Sequence, residues 1–481
     1  MRNHSPKLVL SLLTLALAAS PLVSMAQTVT NTPNSASAAV SSIDETSQKI
    51  DAVLARHYSS DRPGATVIVT RDGKTILRKA YGLSNVESKT ALRPDTLMLI
   101  GSISKQFTAV AILQLIEAGK LSLEDDIHSL LPQLPSKGQK ISIAQLLTHT
   151  SGVRNFFALP GFGELVTKQV TVPQVFDFFK NDTLEAPPGE RFAYSNTGYF
   201  LLGLVIEKIS GMSYANYMEQ HIFKPLQMQH TAYEGQQAKQ LTHSQGYFAE
   251  NATPKQVEPL SIDIAYAAGG LVSTVDDLAR WDRAISEHKL INPASWNKAF
   301  TPYKLNNGSE STYGFGWMTF TVRGAPAYGH DGIIPGYNAF ALRIPKHKVY
   351  VAVLSNYSNL QPDAAFIGTT IAAIAMGNPF PEYQAITLAA EQLEQFVGSY
   401  RINDKENRII TRKGTQLLMQ RGNRPPIEIL AYDKQRFFIK DSPTRAHLSF
   451  DLGANGKAHQ MTMTQSDISS ILPRIEPSAS N

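Results

Sequence analysis

The sequence predicts an α+β chain: an antiparallel sheet flanked by helices and interrupted by a helical insertion, followed by a small all-β domain. Three observations predict it. Strand patterns occur early, over 65–81, and again beyond 313. The residues between them are mostly helical in pattern. After a proline-bearing linker at 378–388 the chain turns to short strands separated by glycine or charged turns. Strands at both ends of one domain can pair into a single antiparallel sheet. A length of 481 residues exceeds one ordinary core and suits about two domains.

Residues 1–26 read as a secretory signal peptide: Arg2 and Lys7, then the apolar "LVLSLLTLALAASPLV", then small residues at Ser24–Ala26. The alternative is an N-terminal membrane anchor, but the apolar run is short for a span and Pro21 interrupts it. Residues 27–43 are rich in Ser, Thr, Ala and Asn and are expected to be a flexible leader. A helix is expected over 44–57. "GATVIVTRDGKTILRKAYG" predicts a hairpin turning at Asp72-Gly73. "LIGSISKQFTAVAILQLIEAG" (Leu99–Gly119) predicts a buried helix with Gly119 as its C-cap.

"TGYFLLGLVIEKISG" predicts a helix stopped by Gly211, and "STVDDLARWDRAISEHK" one capped by Ser273 or Thr274. "YNAFALRIP" and "VYVAVLSN" predict strands either side of a Pro-Lys-His-Lys turn, and 362–376 a small-residue helix. The domain so bounded runs over 44–377. The β domain, over 389–475, holds "FVGSYRI", "RIITRKG", "QLLMQRG", "RFFIKD" and "HLSFDLG".

Composition bounds the function classes. The chain is 43% hydrophobic and 18% charged, as in soluble globular proteins. Its formal charge of +5 is small and scattered, and no Lys/Arg run with interleaved aromatics stands out, so nucleic acid is not an expected partner. The chain has no cysteine, which excludes disulfides, thiol catalysis and cysteine-bound metal. No metal or cofactor motif is found, and none is expected. With the leader cleaved, a protein without a stable membrane anchor, periplasmic or secreted, is expected.

Ser-x-x-Lys occurs three times: Ser102/Lys105, Ser286/Lys289 and Ser295/Lys298. Only the first precedes a long apolar helix, where the helix N-terminus favours developing negative charge. Tyr-x-Asn occurs at Tyr194/Asn196, Tyr214/Asn216 and Tyr357/Asn359, and only the first lies in a loop ahead of a buried helix. "YGHDGIIPGYNAF" brings His330-Asp331-Gly332 into a strand, where a glycine suggests close backbone approach. Each motif alone is weak. There is no Gly-x-Ser-x-Gly elbow and no His-Glu-x-x-His site.

Taken together and in this order, the three motifs resemble those of the serine β-lactamase and penicillin-binding-protein superfamily, in its class C-like branch. "LLTHTSG" (Leu146–Gly152) and "AAGGLVSTVDDLARW" (Ala267–Trp281) are similar to that branch as well. The resemblance covers about 45–377, and the tail looks like the small, lipocalin-like β domain often appended to these hydrolases. It implies that Ser102 is the acylated nucleophile, Lys105 its base and Tyr194 a proton-transfer group. It implies that Asn196 holds the substrate amide, and that His330, Asp331 and Gly332 replace the family's Lys-Thr-Gly. The N–H groups of Ser102 and Ile333 would form the oxyanion hole. His149, Trp281 and Trp317 read as structural.

The implied activity is exported serine hydrolysis through an acyl-enzyme, on small-molecule esters or D-amino-acid and peptidoglycan-type peptides. A class C-like β-lactamase or D-alanyl-D-alanine carboxypeptidase is the alternative within the class. An inactive module binding cell-wall fragments is the alternative outside it. Asp331 weighs against the first alternative. A substrate carboxylate about 4 Å away would be repelled by roughly 4 kcal/mol at an intermediate dielectric. Because neighbouring strand residues point to opposite faces, Asp331 facing away from the site stays open from the sequence.

Overall fold

A computed structural model of the chain describes residues 35–136, 138–233, 243–250, 253–258, 260–440, 442, 445–465 and 468–475, with side chains from Asp44 onward. The expected signal peptide (1–26) and the first part of the expected leader lie outside these residues. From Ser35 the chain is already helical, in α1 (Ser35–His57). The start precedes the expected residue 44 because 35–43 hold several alanines and neither proline nor glycine.

The β1 strand (Ala65–Arg71) and β2 (Lys74–Tyr81) form the hairpin. Asp72 and Gly73 both have positive φ, 52° and 74°, as a two-residue turn of matching twist requires. Four further strands complete the sheet: β3 (Met318–Val322), β4 (Ala325–Ile334), β5 (Tyr337–Ile344) and β6 (Val349–Ser355). The order is β3-β4-β5-β6-β1-β2, antiparallel throughout. The two ends of the domain meet where Ala65 pairs with Ser355 and Arg71 with Val349.

Side chains alternate between two cores. Val67, Val69, Phe340, Leu342, Val351 and Val353 pack against α1 and α7 (Ala364–Ala375). Ile68, Ala339, Ala341, Ala352 and Leu354 face the helical insertion. That insertion holds α2 (Ser104–Glu117), α3 (Asn196–Ser210), α4 (Ile262–Gly269), α5 (Val275–Ser286) and α6 (Pro293–Phe300). The α2 helix is buried almost all round, including Lys105. It closes at Gly119 (φ 69°), whose N–H donates to Ile116 O. Gly211 ends α3 and Thr274 caps α5. Trp281 and Trp317 are buried in this core.

Eight strands form the tail: β7 (Gly398–Asn403), β8 (Glu406–Lys413), β9 (Gln416–Arg421), β10 (Ile427–Asp433), β11 (Arg436–Phe438), β12 (His447–Leu452), β13 (Ala458–Gln465) and β14 (Ile468–Ile475). They close into a barrel in sequence order, with β14 pairing back to β7. Its interior is filled by Phe396, Tyr400, Phe437, Phe450, Met461 and their neighbours. Such an interior is a packed core, as in small closed barrels. The described residues from 43 onward form one compact unit. Among the described residues no helix is long and apolar enough to cross a membrane.

Candidate active site

The serine of the first Ser-x-x-Lys stands in a single 3₁₀ turn, Gly101–Ile103, that leads into α2. Two glycines let β4 run against this turn. A Cβ on Gly332 would sit 2.0 Å from Ile100 O, and one on Gly101 (φ 52°) would sit 2.9 Å from Ile333 N. Only residues without side chains fit at this crossing. It places Ser102 beside the His330–Ile333 segment.

Lys105 lies one turn further on, wholly buried. Its Nζ is 2.9 Å from Ser102 Oγ, 2.8 Å from Asn196 Oδ1 and 2.7 Å from Ala268 O. Burial pulls its pKa down to about 7, against a weaker opposing pull from the Asp331 carboxylate. The hydrogen-bond inventory then orients the amine. Ala268 O is a carbonyl oxygen and can only accept. Asn196 Oδ1 is equally an acceptor. In the neutral amine these two take the two N–H groups and leave the lone pair for the Ser102 hydroxyl; in the ammonium the third N–H donates to Ser102 Oγ.

Tyr194 hydrogen-bonds to Ser102, and burial holds its phenol pKa far above the usual range, so it is protonated. Lys105 Nζ is 4.9 Å from the centre of the Tyr194 ring. The Asp331 carboxylate is half-exposed, at 45%, lies 3.4 Å from His330 Nδ1, and its charge is felt at Lys105 and Tyr194. Burial alone would raise its pKa, but the hydrogen bond and charge of His330 outweigh that and hold it ionised. His330 is buried. Its Nδ1 donates to Asp331 O at 2.5 Å, and its Nε2 is 2.7 Å from Tyr313 Oη. Ile333 is 62% exposed at the mouth.

All eight sequence-predicted site residues (Ser102, Lys105, Tyr194, Asn196, His330, Asp331, Gly332 and Ile333) therefore gather around one point. The duplicate motifs stand elsewhere. Ser286 ends α5 and accepts from Arg343, Ser295 is in the first turn of α6, Tyr214 bonds Thr108, and Asn359 ties down Ala249.

Three contributors escape a motif search. Ala268 O acts through its backbone, which no side-chain pattern reports. Tyr313 supports His330 from a loop whose only signal is aromatic content. Tyr266 holds φ 38° and ψ −130°, a conformation that favours glycine. It kinks α4 so that Ala267 O and Ala268 O point at Thr108 and Lys105. Among the described residues no group of three or more His, Asp or Glu is placed to hold a metal.

A sheet split by a helical insertion, with a buried lysine bridging a serine and a Tyr-x-Asn loop at its edge, is the arrangement of a serine hydrolase. Comparison with known proteins gives the family. Residues 44–376 match the Beta-lactamase family model, and the chain belongs to that family. Residues 382–476 match a second model, "Domain of unknown function (DUF3471)". The chain is 30% identical over 400 residues to Penicillin-binding protein 4* of Bacillus subtilis, spanning 78% of this chain and 87% of that one. Among solved structures it is similar to the octameric penicillin-binding protein homologue from Pyrococcus abyssi. That match has TM-score 0.62 and 25% identity over 89% of this chain and 99% of the other. It is also similar to a D-stereospecific amidohydrolase from Streptomyces sp., with TM-score 0.52 and 28% identity over 65% of this chain and 94% of that one.

Proposed function

We propose that the protein is an exported serine hydrolase that cleaves amides or esters of D-amino acids and short peptidoglycan-type peptides bearing a free amine. The observation that carries the reading is the buried Lys105 with its Nζ 2.9 Å from Ser102 Oγ, beside the ionised Asp331 at the mouth. The similarity to a D-stereospecific amidohydrolase supports the choice of D-amino-acid substrates.

In this reading Ser102 Oγ attacks the substrate carbonyl carbon while its proton passes to Lys105 Nζ. The oxyanion of the tetrahedral adduct is held by the N–H groups of Ser102 and Ile333. Collapse breaks the bond to the amine or alcohol. Tyr194 Oη supplies the proton the leaving group needs, and the Lys105 ammonium restores it to Tyr194. Water then attacks the Ser102 ester by the reverse relay, releasing the acid and the free hydroxyl. Asn196 holds the substrate amide. Asp331 attracts an ammonium and repels a carboxylate, so free-amine substrates are favoured over β-lactams and terminal D-alanine peptides. His330 fixes the strand that carries Asp331.

The test is a panel on purified protein: D- and L-amino-acid anilides, short-chain nitrophenyl esters, D-alanyl-D-alanine peptides and a chromogenic cephalosporin. The panel is paired with fluorophosphonate labelling and peptide mapping. The label is expected on Ser102, and Ser102→Ala is expected to lose on the order of 10⁶ in turnover. A label elsewhere, or efficient cephalosporin hydrolysis, overturns the reading.

A further inference from the structure

His149, read from the sequence as structural, makes contacts that centre on one side chain. It belongs to "LLTHTSG" and is 1% exposed. Its backbone oxygen accepts from Ala193 N–H at 2.8 Å. Its ring Nδ1 accepts from Ser195 N–H at 3.1 Å. These are the residues immediately before and after Tyr194. The ring centroid of His149 is also 4.2 Å from that of Tyr194. One residue therefore holds the N–H groups of both residues flanking Tyr194 and packs on its face. The grip needs a left-handed backbone, and His149 has φ 58°.

We infer that His149 is the positioning residue for Tyr194, acting as a neutral imidazole whose Nδ1 lone pair sets the loop. The inference rests on Tyr194 serving proton transfer, as proposed above. A ring that accepts at Nδ1 carries its proton on Nε2. Burial disfavours a second proton on the ring and keeps the acceptor available. The aromatic rings of Phe192, Tyr199 and Tyr313 enclose His149. A packing role alone would be served by any apolar group of that size. The acceptor facing Ser195 N–H would not be replaced.

The two roles separate in His149→Asn and His149→Leu. Asn tolerates positive φ and carries an acceptor one atom from Cγ, where Nδ1 stands. His149→Asn is expected to keep kcat within about threefold. His149→Leu is expected to lose kcat by the 10²–10⁴ typical of a positioned acid or base, with KM little changed. Tyr194→Phe should lose a similar factor. The double variant His149→Leu/Tyr194→Phe should lose hardly more than either alone, because both act through one hydroxyl.

Full activity in Tyr194→Phe overturns the proton-transfer reading itself. Loss in Tyr194→Phe with His149→Leu unimpaired overturns the clasp alone. So does a His149→Asn variant as weak as His149→Leu, or additive losses in the double variant. Imidazole ¹⁵N shifts of the unmodified protein give an answer that needs no variant to fold. An Nε2-protonated tautomer of His149 is expected, and an Nδ1-protonated one overturns the inference.

Discussion

At the scale of the residue, the proposed chemistry turns on one ionisation. Lys105 can take the Ser102 proton only as a free amine, and its pKa of about 7 sets the fraction present. The rate constant kcat/KM should therefore fall tenfold per pH unit below that value and level off above it. A pH–rate profile with a neutral ester, whose own charge does not change, checks this. The Asp331 carboxylate favours the charged lysine. Its removal in Asp331→Asn must lower the lysine pKa further and move the acid limb to more acidic pH. Asp331→Asn should also raise cephalosporin acylation relative to a neutral ester, and lower the preference for free-amine substrates. An unmoved limb with an unchanged substrate ratio would show that Asp331 acts on neither lysine nor substrate.

Elements, rather than single side chains, bring the serine to the strand. The crossing of the 3₁₀ turn and β4 depends on Gly332, because a methyl there would overlap Ile100 O. Gly332→Ala should push β4 away from Ser102, widening the space between the Ser102 and Ile333 N–H groups proposed to hold the oxyanion. A stability loss of about 1–3 kcal/mol is expected from the overpacking, and a loss in turnover well beyond the loss in folded protein. Gly324→Ala, in the β3–β4 turn of the same sheet, is the control: it carries the strain of positive φ, but nothing lies within 4 Å of its Cβ. Equal turnover in the two variants would break the argument.

The same elements show what a sequence can tell. Strand alternation, the Asp72-Gly73 turn and the Gly119 and Gly211 stops are local effects that the pattern located, and it narrowed the α5 cap to Ser273 or Thr274, of which the structure uses Thr274. What sets Ser102 apart from Ser286 and Ser295 in the sequence is the apolar composition of the helix that follows it, and that helix is buried. The Ala268 carbonyl, the Tyr266 kink and the grip of His149 on Ala193 and Ser195 were not legible. They are long-range backbone contacts, and side-chain identity carries no trace of which carbonyl or N–H they meet.

Across the whole molecule, one cation of the barrel reaches deep into the hydrolase domain. Arg445 precedes β12, and its guanidinium donates to Phe366 O at 2.7 Å and Thr369 Oγ1 at 3.0 Å, and also to Thr370 Oγ1. It lies between two aromatic rings, 4.0 Å from the centre of Phe366 and 3.9 Å from that of Phe380. Phe366 belongs to α7, on the face of the sheet opposite the helical insertion. Ser102, Lys105, Tyr194 and Asn196 all come from the insertion side. The barrel is thus anchored to the back of the sheet, and the anchor should govern attachment rather than chemistry. Arg445→Ala removes the charged hydrogen bonds and both cation–π contacts, at a cost on the order of 2–4 kcal/mol. The barrel, which has its own packed core, should then unfold or swing independently. Thermal unfolding should split into two transitions, and proteases should cut within 378–388 faster than in the unmodified protein. Turnover of a small ester should stay within about twofold. If turnover instead falls with the loss of docking, the barrel reaches the chemistry through α7 and the sheet, and the anchor is part of the catalytic unit.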